Sequence, residues 1–156
     1  MLIIKQSLLL FSLFFLFSMN VLAVEDDNFV ENIDIIYIDE MNEVKQRLLD
    51  WVSIWSQGDY VTYLKFYVTN YAPRGVSHRQ WKINRKQRVN KKKQIRINVL
   101  LEDISMNGEA DRAETVFWQD YKSNNYRDKV RKKIIWIRNN SVWLIKQEIT
   151  LNGKLY

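Results

Sequence analysis

Cysteine is absent from all 156 residues, and proline and histidine occur once each. Without cysteine there is no disulfide framework, no thiol nucleophile and no cysteine for a lipid anchor at a processed start. One histidine, His78, and no cysteine are too few soft ligands for a transition-metal site, so neither metal nor other cofactor is expected. Glycine is scarce, at four residues, and no Gly-rich phosphate loop is present. No nucleophile motif and no acid–base pair at a usable spacing stand out. After residue 23 no apolar run approaches the ~20 residues that a spanning helix needs.

What is present begins with an export pattern. Lys5 supplies a short positive start, and Leu8 to Phe17 is apolar except for Ser12. Val21, Leu22 and Ala23 then place small or aliphatic residues where a signal peptidase reads. A signal peptide over 1–23, cleaved after Ala23, is expected; an uncleaved anchor is the alternative. An acidic leader over 24–40 and one domain over 41–156 follow, long enough for a real core. An exported domain without disulfides must be held by packing. Beyond residue 23, six Trp, eight Tyr and three Phe provide the means.

Charge is divided unevenly. Residues 24–50 carry nine acids against Lys45 and Arg47, whereas residues 51–156 carry 21 bases against nine acids. A basic body suggests a polyanionic partner. For an exported protein, envelope polymers or membrane surfaces are expected rather than nucleic acid. The candidate polyanion-binding residues are Lys82, Lys86, Lys91, Lys92 and Lys93. The alternative is a solvated basic face that binds nothing specific. The acidic leader is a candidate to fold back and mask that face.

Periodicity orders the chain. Ile33, Ile35, Ile36, Tyr37 and Ile38 form either a β-like piece or the lead-in to a helix. From Met41 the apolar residues Val44, Leu48, Trp51 or Val52, and Trp55 recur at three- and four-residue spacing, which predicts a helix. Gly58 is placed to end it in a left-handed cap, and Asp59 to cap a short second helix. That helix carries Tyr60, Tyr63 and Tyr67 on one face and Val61, Leu64 and Val68 on an adjacent one, so it is expected to pack on two sides. Ser77 and Gln80 read as a capping box for a third helix with Trp81 as its anchor. The period then switches to two. Strands are expected over 94–105, 110–122, 126–138 and 141–151, with Asn107-Gly108, Ser123-Asn124-Asn125 and Asn139-Asn140 as turns. The class is α+β, with three N-terminal helices on a four-stranded antiparallel sheet.

This order, with the pieces "WVSIWSQGDYVTYLKFY", "SHRQWKINRKQRV", "AETVFWQDYKSNNYRDKVRKKIIW" and "WLIKQE", resembles the nuclear transport factor 2-like superfamily. It is similar above all to the domain appended to exported L,D-transpeptidase-like and cell-shape peptidases, over residues 43 to 149. The resemblance implies a strongly curved sheet wrapped against three helices as a cone, with a pocket at its wide end. It also implies frequent homodimerisation through the sheet and a periplasmic or secreted setting. The catalytic cysteine and histidine of those peptidases lie in another domain, which has no counterpart here.

If Phe117 points into the cone, alternation also turns Gln119 and Tyr121 inward, and Lys132, Ile134 and Trp136 match them on the next strand. Glu148 follows on the last strand, either opposite them or one residue out of step. Tyr63 and Tyr67 are expected to look towards the same concave side. The expected pocket is therefore lined by Tyr63, Tyr67, Gln119, Tyr121, Lys132 and Glu148, a polar set on an aromatic surface. The alternative is a buried Lys132–Glu148 ion pair with Gln119 as its satellite. Arg85 and Arg88 are pocket wall or surface, and His78 is either a general base or a residue of the third helix's first turn. The function read from this is an exported, non-catalytic binding or accessory module of the bacterial envelope, with an envelope polymer or envelope protein as partner. A small hydrolase- or isomerase-type enzyme with its site in the cone is the alternative. A cone-floor carboxylate held protonated would favour the enzyme, and a Glu148 paired to Lys132 the binding module.

Overall fold

The computed structural model describes residues 27–155, with side chains over 37–152. The expected signal peptide lies outside the described residues. Three α-helices come first among them: α1 (Asp27–Gln57), α2 (Tyr60–Leu64) and α3 (His78–Arg88). A 3-10 turn over Lys91–Lys93 leads into four strands: β1 (Arg96–Met106), β2 (Arg112–Ser123), β3 (Tyr126–Asn139) and β4 (Val142–Leu155). The strands form one antiparallel meander in the order β1-β2-β3-β4.

α1 starts at Asp27 rather than at Met41. Of the two readings of the isoleucine run, the helical lead-in holds and the β-like piece does not. Further along, Val44, Leu48, Trp51 and Trp55 are buried on one stripe. The helix stops at Gly58, with φ +68°. The Gly58 N–H donates to the Trp55 carbonyl at 3.0 Å and the Asp59 N–H to the Ile54 carbonyl at 3.2 Å. These are the two bonds of a Schellman cap.

Asp59 caps α2 by accepting from the Thr62 N–H at 3.1 Å. The helix is a single turn. Tyr63 on one face is buried and Leu64 on the adjacent one packs partly buried against the core, while Val61 is 68% exposed. One expectation fails. Tyr67 lies beyond the helix, in a short parallel bridge to Ile145. There the Val68 N–H donates to the Ile145 carbonyl at 3.1 Å, and the Ile145 N–H to the Phe66 carbonyl at 2.7 Å. A five-residue helix gains few backbone bonds for the cost of starting it. Burying Phe66 and Tyr67 against β4 outweighs another turn. In α3, Ser77 accepts from the Gln80 N–H at 3.2 Å, but the Gln80 side chain reaches forward to Asn84 at 3.0 Å. Only half of the expected capping box forms.

Ala113, Thr115, Phe117, Gln119 and Tyr121 of β2 are all buried on the inner face, as are Lys132, Ile134 and Trp136 of β3. β4 reaches the same face by stepping out of register. Ile135 pairs with Gln147 but Trp136 pairs with Ile145, leaving Lys146 as an extra residue. This bulge reverses the alternation, so Trp143, Ile145 and Glu148 all face inward. A second bulge pairs Lys132 with Thr150 and Arg131 with Asn152. Among the described side chains of α1 no acid is seen to pair with the lysines of α3 or the 3-10 turn. Among the described side chains, Glu40 pairs with Arg138, and Glu43 lies 3.9 Å from Arg138, at the far end of β3.

Candidate functional site

A cavity of about 540 Å³ opens at the inner face of the sheet. α1 contributes Trp55, the loop after α2 Tyr71 and Pro73, α3 Arg85 and Arg88, and the 3-10 turn Lys93. The sheet contributes Gln119 and Tyr121 from β2, Asp128, Val130 and Lys132 from β3, and Glu148 and Thr150 from β4. Asp128, Val130 and Lys132 are alternate residues of one strand, which is why they share a face.

The buried end is organised around Glu148, whose side chain is 7% exposed. Its Oε1 accepts from Arg85 Nη2 at 3.2 Å and from the Tyr67 hydroxyl at 2.6 Å. Its Oε2 accepts from Lys132 Nζ at 3.2 Å. Tyr67 in turn accepts from Trp51 Nε1 at 3.0 Å and shares a short hydrogen bond with Tyr63. The Tyr71 hydroxyl accepts from the Glu148 backbone N–H at 3.3 Å. The Tyr67 ring is held 4.7 Å from Tyr71 and 4.8 Å from Trp81, centre to centre. Lys132 Nζ and the Arg85 guanidinium each lie 5.6 Å from the Trp55 ring, within cation–π range.

This environment fixes protonation. Burial alone would raise the Glu148 carboxyl, but Arg85, then Lys132, then the Tyr67 hydrogen bond overcome it and hold the group at about 2. Lys132 is drawn down, mainly by burial and also by the charge of Arg85, with Glu148 opposing both. Burial pushes the Tyr67 hydroxyl up, and pushes that of Tyr71 up to about 12; the Glu148 charge adds to both. At neutral pH the carboxylate is ionised and engaged at both oxygens, while the tyrosines keep their protons. Such a set holds charge in a fixed place. Glu148, held at about 2, is not poised to take a proton near pH 7.

The family model of the Cds6 C-terminal NTF2-like domain matches residues 43–149. The chain belongs to this NTF2-like family. Its fold is similar to the helical cell shape determining protein Pgp2 of Campylobacter jejuni, at 22% identity and a TM-score of 0.62, over 71% of this chain and 40% of that one. It is similar to Bd1075 of Bdellovibrio bacteriovorus, at 20% identity and a TM-score of 0.58, over 70% of this chain and 39% of that one. An NTF2-like protein of Shewanella oneidensis matches at 16% identity and a TM-score of 0.60, over 70% of this chain and 96% of its own. The chain thus spans about two fifths of Pgp2 and of Bd1075. No curated protein matches. Among the described residues no helix is long and apolar enough to cross a membrane.

In this NTF2-like domain, four of the six expected pocket residues line the cavity: Gln119, Tyr121, Lys132 and Glu148. Tyr63 and Tyr67 do not. Both are buried, at 0% and 5% exposure, in the layer behind Glu148. They act on the cavity through the hydroxyl chain that ends on the carboxylate. The bridge of Tyr67 to β4 turns its ring into the core, which periodicity on a longer helix misplaced. Trp55 is packed, as its helical spacing predicts, and also forms cavity wall. Arg85 is wall, not surface.

Asp128 is absent from the expected pocket, although its parity with Lys132 was a usable signal. Tyr71 and Lys93 are absent from it too, and neither carries a periodic signal. Of the candidate polyanion-binding lysines, Lys82, Lys86, Lys91, Lys92 and Lys93 are all exposed, and Lys93 also lines the cavity. His78 lies outside the lining; its Nδ1 sits 2.7 Å from the Tyr71 carbonyl, to which it donates, tying down the loop.

Proposed function

We propose that this NTF2-like domain is an exported, non-catalytic binding module of the bacterial cell envelope. It takes a peptidoglycan-related fragment or a segment of an envelope protein in its cavity and releases it unchanged. One observation carries the reading. The carboxylate in the cavity is ionised and locked to Arg85 and Lys132, whereas acid–base turnover needs a group whose proton can move. The likeness to a cell-shape protein supports the envelope setting.

The export signal, the lysines of α3 and the 3-10 turn, and a second copy of the chain belong to the same reading. The signal delivers the domain to the periplasm or medium. Lys82, Lys86 and Lys91 to Lys93 add weak attraction to anionic envelope polymers, screened by salt over ~8 Å. The outer face of the sheet, with Leu100 68% exposed, is where a homodimer would form.

The experiment is calorimetric titration of the mature protein with soluble peptidoglycan fragments and envelope-protein peptides, followed by mass analysis of the recovered ligand. Saturable binding with unchanged ligand is expected. A ligand recovered chemically altered would replace this reading with the enzyme; no binding by any fragment or peptide would remove the cavity from it.

A further inference from the structure

We propose, building on the binding-module reading, that the cavity selects an organic carboxylate: a ligand with a peptide- or sugar-sized body and one free carboxylate end. The wall is rich in positive charge. Arg85, Arg88, Lys93 and Lys132 line the cavity against only Glu148 and Asp128. Glu148 is spent on the buried cations. Asp128 Oδ2 accepts the Tyr126 hydroxyl at 3.0 Å, while its buried Oδ1 has no donor among the described residues. Four cations against two carboxylates leave the wall two positive charges in surplus, which a bound carboxylate would reduce.

The donors agree with the charge. Glu148 takes one hydrogen bond from Arg85 and one from Lys132. A guanidinium has five N–H donors and an ammonium three. Trp55, 4% exposed and part of the wall, has an indole N–H with no acceptor. It stands beside the same two cations. Buried donors without acceptors are costly, and a ligand oxygen there would relieve that cost. Size and lining then choose among anions. A bare inorganic anion would leave most of 540 Å³ unfilled. Trp55, Tyr71 and Tyr121 offer ring surface to an uncharged body, while a guanidinium fork suits a carboxylate.

The test uses the full mature chain and two probes differing only in that end: N-acetyl-trialanine and its carboxyl-terminal amide, with inorganic phosphate as a third. Binding is read from the Trp55 indole N–H resonance, assigned with a Trp55→Phe variant. The acid is expected to bind at least tenfold more tightly than the amide, because a hydrogen bond to a charged group is worth roughly 1.5–3 kcal/mol, about ten- to 150-fold. Phosphate is expected to compete only weakly. Arg88 is exposed, so Arg88→Ala should fold normally and reduce the preference for the acid about threefold. Equal binding of acid and amide overturns the proposal, as does phosphate binding as tightly as the acid. If neither peptide moves the resonance but uncharged envelope fragments do, the carboxylate inference falls and the binding module stands. Tight binding of the acid followed by its chemical conversion would do the reverse.

Discussion

Replacing Glu148 with Gln should destabilise the domain far more than replacing Lys132 with Met, although the two residues form one ion pair. Among the described residues Glu148 is the only acid bonded to either buried cation. Arg85, Lys132 and Glu148 have side-chain exposures of 12%, 11% and 7%. Glu148→Gln leaves two buried cations side by side with no anion bonded to them. Breaking a buried pair from that side costs about 3–5 kcal/mol. Lys132→Met leaves Arg85 and Glu148 as a matched pair, still supported by Tyr67. It also removes a burial cost, so its effect should fall within about 1 kcal/mol of zero, in either direction.

The pH dependence gives a second measure. The folded carboxyl sits at about 2, below the ~4.3 of an unfolded glutamate. Its contribution is therefore fully present above the unfolded value. It is lost as pH falls from about 5 towards 2. At ~1.4 kcal/mol per unit this is on the order of 3 kcal/mol, in line with the mutational figure. Urea unfolding followed by tryptophan fluorescence, from pH 7 down to pH 3, measures both. Glu148→Gln should lower the pH 7 midpoint, with Tm falling by about 10–20 °C, and flatten the acid limb. The reasoning is refuted if Lys132→Met costs as much as Glu148→Gln, or if the acid limb of Glu148→Gln follows that of the native protein.

Three other outcomes are expected. Gly58→Ala should unfold well below the native protein in a thermal melt, because φ is +68° and an added Cβ would lie 2.3 Å from the Lys91 backbone nitrogen and 2.6 Å from the Asn90 carbonyl carbon. A backbone neighbour cannot swing aside as a side chain would, so the loss should exceed the ~1 kcal/mol typical of a left-handed glycine replaced without a clash. Trp81→Ala should lose about 3–5 kcal/mol in urea unfolding, since Trp81 is 3% exposed and stacks with Tyr67 and Tyr71, each 4.8 Å away; a melt within a degree or two of native would refute the packing of α3. Replacing Lys91, Lys92 and Lys93 together with Ser should leave Tm within a few degrees but weaken retention on an anionic-polymer matrix at low salt, and retention unchanged by the substitution or by salt would exclude that surface.

The division between what was legible and what was not follows the physics of each element. Local signals sufficed for the helix caps. Asp59, Ser77 and Gly58 act through bonds to residues within five positions, which the sequence displays directly. Strict alternation sufficed for the inner faces of β2 and β3, where the register between Phe117 and Lys132 is unbroken. Alternation failed on β4, where Glu148 could be assigned either way. The extra residue at Lys146 carries no local signature; the mismatch shows only when Trp136 and Ile145 are paired across strands. Tyr67 was misplaced for the same reason. Its position is set by a backbone bridge to Ile145 across the chain rather than by its own helix.

Both non-local features converge on one side chain. The bulge turns Glu148 inward, and the bridge carries the Tyr67 hydroxyl to it. The sequence shows the composition of the site, a lysine, an arginine, a glutamate and tyrosines. The two backbone irregularities decide that the glutamate is pinned by donors instead of standing free as an acid. A deletion of Lys146 would test that dependence directly. Lys146 is the unpaired residue, so its loss should give a regular strand in which Ile145 still faces Trp136 and Glu148 still faces Ile134, both inward. Arg85 and Lys132 should then keep their anion, and the acid limb should follow that of the native protein rather than that of Glu148→Gln. A deletion variant whose acid limb flattens like that of Glu148→Gln would show that the pairing across β3 and β4 does not place the carboxylate.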